Sequence, residues 1–204
     1  MGITTIPDTT RRGFLKGLGL ALGGAALVGA DLLIQPKAAE AAGPGIPWSC
    51  MSQAQRNAWL VQTARGYTNR YMTYPDQCKG FVRAMVKEAS SYGGDMPVTV
   101  PSTSADGWHW DYNIRTPRLN INIRQAVAGN VIQMLWRRKD TGSITPHTAI
   151  VSYISTSYFY VIDDNWPRWP GDHDWVQEHY WFFTEFDAGI TINGTSCYSI
   201  YQIQ

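Results

Sequence analysis

This sequence has no large excess of positive or negative charge. Its 17 lysine and arginine residues are balanced by 16 aspartate and glutamate residues. A surface that binds nucleic acid needs basic residues clustered on one face. The one basic cluster, at residues 137–139, falls where a hairpin turn is predicted. The composition therefore argues against a nucleic-acid partner.

Long apolar runs are scarce as well. The run at residues 17–30 is uncharged, but it is rich in glycine and too short for a comfortable membrane-spanning helix. It follows the stretch TRRGFLK, with Arg11 and Arg12, which resembles the twin-arginine export signature. An A-x-A cleavage site follows at residues 39–41. We therefore expect a cleaved twin-arginine signal peptide, the twin-arginine translocase as export partner, and a periplasmic or extracellular (cell wall) location.

The predicted signal peptide comprises residues 1–41, a glycine- and proline-bearing leader follows at 42–50, and one domain is expected over 51–204. Cleavage removes four basic and three acidic residues and leaves 13 of each sign. The mature protein is thus expected to be formally neutral, and we expect a monomer. Its nine tryptophans and eleven tyrosines are many for one domain, and several fall in loop-like stretches where they could contact a ligand.

Cysteine is scarce too. The three cysteines are Cys50, Cys78 and Cys197. Cys50 lies near the start of the mature chain and Cys197 near its end, so a disulfide between them would tie the two ends together after export. With or without that disulfide, Cys78 is left over, and an odd thiol in an exported protein requires an explanation.

The stretch QCKGFVRAMVKEAS at residues 77–90 predicts an amphipathic helix with Cys78 at its start. The apolar residues that recur at helical spacing are Phe81, Val82, Met85, Val86 and Ala89. Asp76 is the predicted N-cap, which places Cys78 in the first turn. Unpaired backbone N–H groups and the helix dipole favour a thiolate there. The alternative is that Cys78 is only a small hydrophobic residue capping a core helix.

The rest of the mature chain predicts an α+β fold, with helices first and an antiparallel sheet afterwards. Ser52 and Gln55 form a capping-box pattern that begins a helix running to about Gly66. Residues 95–126 are irregular and include the aromatic run 106–112. The predicted strands are residues 131–136, 147–154, 158–164, 176–183 and 197–203.

A histidine and an acid–amide group occupy matching ends of a predicted hairpin. His147 opens one strand, Asp163 and Asn165 close the next, and the turn lies at residues 155–157. In an antiparallel hairpin the start of the first strand lies beside the end of the second. An imidazole and a carboxylate or amide should therefore meet at one edge of the sheet. If the Cys78 helix packs on that sheet, the three groups can form an activated cysteine nucleophile.

These residues resemble the papain-like cysteine hydrolases of bacterial cell walls, especially the CHAP (cysteine, histidine-dependent amidohydrolase/peptidase) domains and their NlpC-type relatives. The matching pieces are QCKGFV at 77–82, GNVIQ at 129–133, HTAIV at 147–151 and FYVIDDNW at 159–166. The resemblance implies a papain-like fold in which Cys78 is the nucleophile and His147 the general base and acid. Asp163 replaces the more usual glutamate, so whether Asp163 or Asn165 orients His147 stays open.

Further site residues are expected on the same basis. The oxyanion hole should combine the Cys78 backbone N–H with a side chain from Tyr74, Tyr71 or Gln77, of which Tyr74 is preferred. Aromatic residues expected to line the substrate groove are Trp108, Trp110 and Trp166. No metal or organic cofactor is expected, and the letters DHD at 172–174 are interpreted as a solvated loop rather than a metal site. His109 is either a substrate contact or a packed loop residue.

The function expected from the resemblance is hydrolysis of amide bonds in peptidoglycan, by an endopeptidase or an amidase. Peptidoglycan or a peptide is then the substrate partner. Two alternatives stay open. One is a wall-binding module that keeps the fold without turnover, and the other is a transglutaminase-like acyltransferase.

Overall fold

The computed structural model describes residues 46–74, 77–139, 141–166 and 175–204. The predicted signal peptide at 1–41, the N-cap Asp76 and the loop at 172–174 lie outside these residues. Within them, no helix is long and apolar enough to cross a bilayer. The described part confirms the expected α+β class, with helices and an antiparallel sheet.

The described residues contain three α-helices and eight short or medium strands. The helices are α1 (Gln53–Arg65), α2 (Gln77–Ser90) and α3 (Phe183–Ile190). The strands are β1 (Arg118–Leu119), β2 (Val131–Arg137), β3 (Ile144–Ile154), β4 (Tyr158–Asp163), β5 (Gln177–Phe182), β6 (Thr191–Ile192), β7 (Thr195–Ser196) and β8 (Tyr198–Tyr201). Six of the strands form one antiparallel sheet in the order β1-β8-β2-β3-β4-β5, and β6 pairs with β7.

The two faces of the large sheet bury two hydrophobic clusters. One cluster holds α1, α2 and sheet residues such as Val131, Ile150 and Ile162. The other holds α3 and the alternate sheet residues, such as Ile132 and Val161. Because successive strand residues point to opposite faces, apolar residues on both faces require a layer on each side. The helices predicted first in the chain supply only one of these layers.

The helix α3 differs from the prediction from sequence, in which residues 176–183 form a strand and residues 184–196 have no assigned element. In the structure β5 ends at Phe182 and a helix begins at Phe183. Phe186 and Ile190 follow at helical spacing and are buried with Phe183 in the second cluster. Gly189 lets α3 approach the sheet, because a Cβ atom at this position would meet the ring of Trp136.

The helix α1 is tied to the sheet through polar contacts. The capping box of Ser52 and Gln55 is present as expected. Gly129 has a φ of 88° and lies against Asn57 of α1, so closely that a Cβ would be 2.5 Å from the Asn57 Cα. The Gln202 side chain donates to Asn57 Oδ1 at 2.7 Å, which joins the residue after β8 to α1. These contacts hold α1, and with it α2, against the sheet that carries the candidate site.

Candidate active site

Cys78 lies in the first turn of α2 and is buried. The helix begins at Gln77, whose φ of 51° turns the chain sharply just before the cysteine. The apolar stripe expected along this helix is present, since Phe81, Val82 and the later stripe residues are buried in the first cluster. That burial sets the rotation of α2 about its axis, and the rotation turns Cys78 inward toward β3.

His147 and Asp163 are in contact at the end of the expected hairpin that lies away from its turn. His147 lies on β3 opposite Met134 of β2, and Asp163 is the last residue of β4. The His147 Nε2 is 2.8 Å from the Asp163 Oδ2, and both side chains are buried. The turn at 155–157 joins the strands as expected, with Ser155 N–H donating to Tyr158 O. The imidazole therefore contacts a carboxylate at this position.

The thiol, the imidazole and the carboxylate shift one another's protonation. Burial acts to raise the pKa of the Cys78 thiol, but the charge of His147 and hydrogen bonds from its side chain and the Thr148 backbone lower it below the ordinary 9.0. For His147, burial acts to lower the pKa, yet Cys78 and Asp163 raise it to about 10. The two shifts have opposite directions, lower for the thiol and higher for the imidazole, and both favour a thiolate–imidazolium pair.

Asp163 stays ionised in this buried place. Burial acts to raise its pKa, but the charges of His179 and His147, together with hydrogen bonds from both rings, lower the pKa to about 2. The second histidine, His179 of β5, lies with its Nε2 2.8 Å from the same Oδ2. His179 belongs to none of the motifs in the sequence. The only signal available there was its inward position in the alternating stretch QEHYWF.

Asn165, the other residue considered for orienting His147, lies just beyond β4 and is half-buried. Its backbone has a φ of 60°, a left-handed conformation that asparagine tolerates better than most residues. This conformation redirects the chain after Asp163 and delivers Trp166 to the site. The Trp166 ring contacts the His147 ring at a centroid distance of 4.8 Å.

The oxyanion candidates differ in their surroundings. The Tyr74 hydroxyl is buried and has no hydrogen-bond partner among the described residues. Burial raises the pKa of Tyr74 to about 12, so the hydroxyl keeps its proton and remains a donor. Tyr71 is exposed and packs on Trp175, and the Gln77 side chain is exposed at the start of α2. Of the three, Tyr74 offers the buried unpaired donor.

The expectation that Trp110 lines a substrate groove is wrong. Trp110 is only 1% exposed and belongs to the first hydrophobic cluster. Its backbone is fixed on both sides, because its N–H donates to Gln133 Oε1 and its carbonyl accepts from the Tyr201 hydroxyl at 2.9 Å. These contacts hold the loop that carries Trp110 against the sheet, and the indole ring packs in the core.

The neighbouring loop residues remain near the surface. Trp108 is half-buried and packs edge-on against His109, with the ring centroids 4.8 Å apart. The Nε2 atom of His109 in turn lies 2.8 Å from the Oδ2 atom of Asp106. His109 is thus a packed loop residue, and a substrate contact by Trp108 stays a prediction.

The predicted disulfide between Cys50 and Cys197 is absent, and both residues are free thiols in this structure. Cys50 precedes α1, whose first residue Gln53 donates to the carbonyl of Ile203 at 2.7 Å. Cys197 lies six residues before Ile203, beyond the far end of β8. At about 3.4 Å per extended residue, Cys197 lies up to about 20 Å along the chain from Ile203. The chain ends do meet, but at Ile203 rather than at Cys197.

The described residues include no group of three or more His, Cys, Asp or Glu side chains arranged to hold a metal ion. The candidate site consists of a thiol, two imidazoles, a carboxylate and a nearby phenol. Together they can supply a nucleophile, a proton donor and acceptor, and an oxyanion donor.

No protein-family model matches the chain, and no curated protein matches it. Two crystal structures of a protein called Ly7917 are similar to it, the second with the hydrolyzing product of MDP. Their TM-scores are 0.48 and 0.46, each at 10% identity, and each alignment covers 72% of this chain and 62% of the other. This chain thus spans about 62% of the length of Ly7917. Similarity this low does not establish a shared activity.

Proposed function

We propose that the protein is an exported cysteine hydrolase with a papain-like arrangement, and that it cleaves amide bonds in peptidoglycan. One observation carries the proposal. A buried thiol at a helix start interacts with a buried imidazole, which is itself 2.8 Å from a buried carboxylate. A purely structural cysteine has no need of a partner that lowers its pKa.

In the first half of the reaction, the Cys78 thiolate attacks the amide carbonyl carbon and forms a carbon–sulfur bond. The carbonyl electrons move to the oxygen, where the Cys78 backbone N–H and the Tyr74 hydroxyl are the candidate donors. As the tetrahedral intermediate collapses, the carbon–nitrogen bond breaks and His147 gives its proton to the leaving amine. The product is a thioester on Cys78.

In the second half, neutral His147 takes a proton from a water molecule, and the resulting hydroxide attacks the thioester carbonyl. The carbon–sulfur bond breaks, the thiolate leaves, and the carboxylic acid product is released. Asp163 accepts a hydrogen bond from His147 throughout, which stabilises the imidazolium and holds the ring in one orientation.

The substrate class follows from two features of the sequence. The resemblance to CHAP domains implies a peptidoglycan amide, and the twin-arginine motif implies a protein that acts where peptidoglycan lies. Candidate bonds are those of the stem peptide, the cross-bridge and the lactyl–alanine junction.

The test is incubation of the mature protein, residues 42–204, with purified peptidoglycan, followed by mass spectrometry of the soluble fragments. We expect new peptide or amine termini at one type of amide bond, and their identity names the bond. Absence of fragments, with wall binding intact, would favour a non-catalytic module. Incorporation of an added amine in excess of hydrolysis would favour acyl transfer.

The pH dependence of Cys78 provides a second prediction, best measured in a Cys50→Ala, Cys197→Ala background that leaves one thiol. The thiolate forms below the ordinary thiol pKa of 9.0, so rapid alkylation by iodoacetamide should begin well below pH 9. Hydrolysis needs the imidazolium as well, and His147 loses its proton near pH 10. Hydrolysis should therefore rise as the thiol ionises and fall as the pH approaches 10.

His147→Ala is the control for that profile. Without the imidazolium, burial and the charge of Asp163 raise the thiol pKa against only the Thr148 backbone hydrogen bond, so the alkylation curve should move to higher pH. An alkylation midpoint at or above pH 9 in the parent protein contradicts the ion pair. So does a curve that His147→Ala leaves unchanged.

A further inference from the structure

His179 is a second buried histidine on the carboxylate of the candidate triad. It lies on β5 opposite Val161 of β4, and its side chain is 3% exposed. Its Nε2 is 2.8 Å from Asp163 Oδ2, the same oxygen that lies 2.8 Å from His147 Nε2. One carboxylate oxygen thus contacts two imidazoles, and these come from the strands on opposite sides of β4.

This geometry determines where the protons lie. An ionised carboxylate only accepts hydrogen bonds, so each Nε2 that contacts Oδ2 must carry a hydrogen. His147 is then an Nε2–H tautomer or an imidazolium, and its remaining nitrogen, Nδ1, is the one left for the Cys78 thiol. His179 likewise donates through Nε2. The shared oxygen therefore fixes which His147 nitrogen is left to the thiol.

The other carboxylate oxygen of Asp163, Oδ1, does not help to hold the side chain in position. Asp163 is fully buried, and its Oδ1 has no hydrogen-bond partner among the described residues. With His147 as sole donor, the carboxylate would be free to turn about its last side-chain bond. The His179 donor removes that freedom, since it holds Oδ2 from a second direction.

The ring of His179 is itself held in place by aromatic packing. It stacks almost parallel on Trp166, with an interplanar angle of 13° and centroids 5.8 Å apart. It also meets the edge of Trp181 at 4.7 Å. Trp166 contacts the His147 ring as well, so both imidazoles pack against one indole. A rigid ring in this place can set the position of the carboxylate.

We propose that His179 is a positioning residue, which fixes Asp163 Oδ2 and thereby orients His147 toward Cys78. The inference rests on the proposed function for its role in turnover, but its effect on the thiol can be measured without any substrate. The titratable groups that interact within this cluster are Asp163 from β4, His147 from β3 and Cys78 from α2. Asp164, the next residue after Asp163, is a further buried carboxyl beside it. Glu178, also on β5, is directed to the other side of the sheet, where it pairs with Arg65. The lowered pKa of Asp163 agrees with two donors on the carboxylate.

The variants are His179→Gln, His179→Asn and His179→Phe in the Cys50→Ala, Cys197→Ala background. The glutamine amide nitrogen lies about where Nε2 lies and can still donate, whereas asparagine is too short and phenylalanine has no donor. Trp181→Phe is the matched control, because it perturbs the same aromatic packing on β5 without removing a donor to Asp163. Thermal melts check that each variant folds.

The readout is the rate of Cys78 alkylation by iodoacetamide from pH 4 to 9. We expect His179→Phe and His179→Asn to slow alkylation about tenfold below neutral pH and to move the acid limb upward, because a displaced carboxylate misplaces His147. His179→Gln and Trp181→Phe should stay close to the parent. Turnover should fall about 10- to 100-fold in the first two variants with KM unchanged.

The comparison of His179→Gln with His179→Asn tests the positioning role even if His179→Phe does not fold. An unchanged alkylation profile in His179→Asn overturns the proposal, and so does an equal shift in His179→Gln or in Trp181→Phe. Failure of the parent protein to hydrolyse peptidoglycan, with these alkylation differences present, contradicts the proposed function and leaves the role of His179 standing.

Discussion

Replacement of Cys78 by alanine should abolish peptidoglycan hydrolysis, with a loss of about four orders of magnitude or more, while the protein stays folded and still binds the wall. Alanine keeps the helix and removes one buried sulfur atom, so the loss would come from the nucleophile and not from the fold. The measurement is the rate of fragment release from purified peptidoglycan, with thermal melts of each variant.

The chain provides matched controls for this change. Cys50 and Cys197 are free thiols that lie outside the candidate site, so alanine at either position should leave turnover unchanged. His147→Ala should be nearly as damaging as Cys78→Ala, because residues that act as one unit are not additive. A folded Cys78→Ala protein with undiminished activity would remove the whole mechanism.

Replacement of Asp163 by asparagine should lower turnover by about three to four orders of magnitude. The change removes the negative charge that helps to raise the pKa of His147 to about 10. The pKa of His147 should therefore fall, and the thiolate–imidazolium population near neutral pH should shrink. The amide oxygen of asparagine can still accept from both histidine N–H groups, but it carries no charge to stabilise the imidazolium.

Asn165 is the matched comparison, because it was the other candidate for orienting His147. Its φ of 60° would strain an alanine, so Asn165→Gly is the cleaner change, since it removes the amide and keeps the backbone. If Asp163 orients His147, Asn165→Gly should be mild. Rates across pH 5 to 9 that show a severe Asn165→Gly and a mild Asp163→Asn would reverse the assignment.

Local patterns in the sequence were sufficient for the helix that carries Cys78 and for the central strands. The stripe from Phe81 to Ala89 has the period of a helix, and the stretch from His147 to Asp163 is a hairpin with a short turn. Both signals depend on residues that are close along the chain, because helix and strand periodicity are properties of the local backbone. The pairing of His147 with an acid at the end of β4 could also be predicted, since antiparallel pairing across a short turn leaves little choice of register.

What only the tertiary structure decided depends on contacts between distant parts of the chain. Trp110 is buried because Gln133 and Tyr201 fix its backbone, and neither contact is visible in the loop's own composition. Cys50 and Cys197 are free thiols, and the residue near the end of the chain that meets α1 is Ile203. His179 reaches Asp163 because β5 pairs beside β4 in a register that places Val161 opposite His179. Strand order and register are set by packing of the whole sheet. The sequence alone therefore grouped Cys78, His147 and Asp163 as a candidate site, while the fold decided that His179 also contacts Asp163.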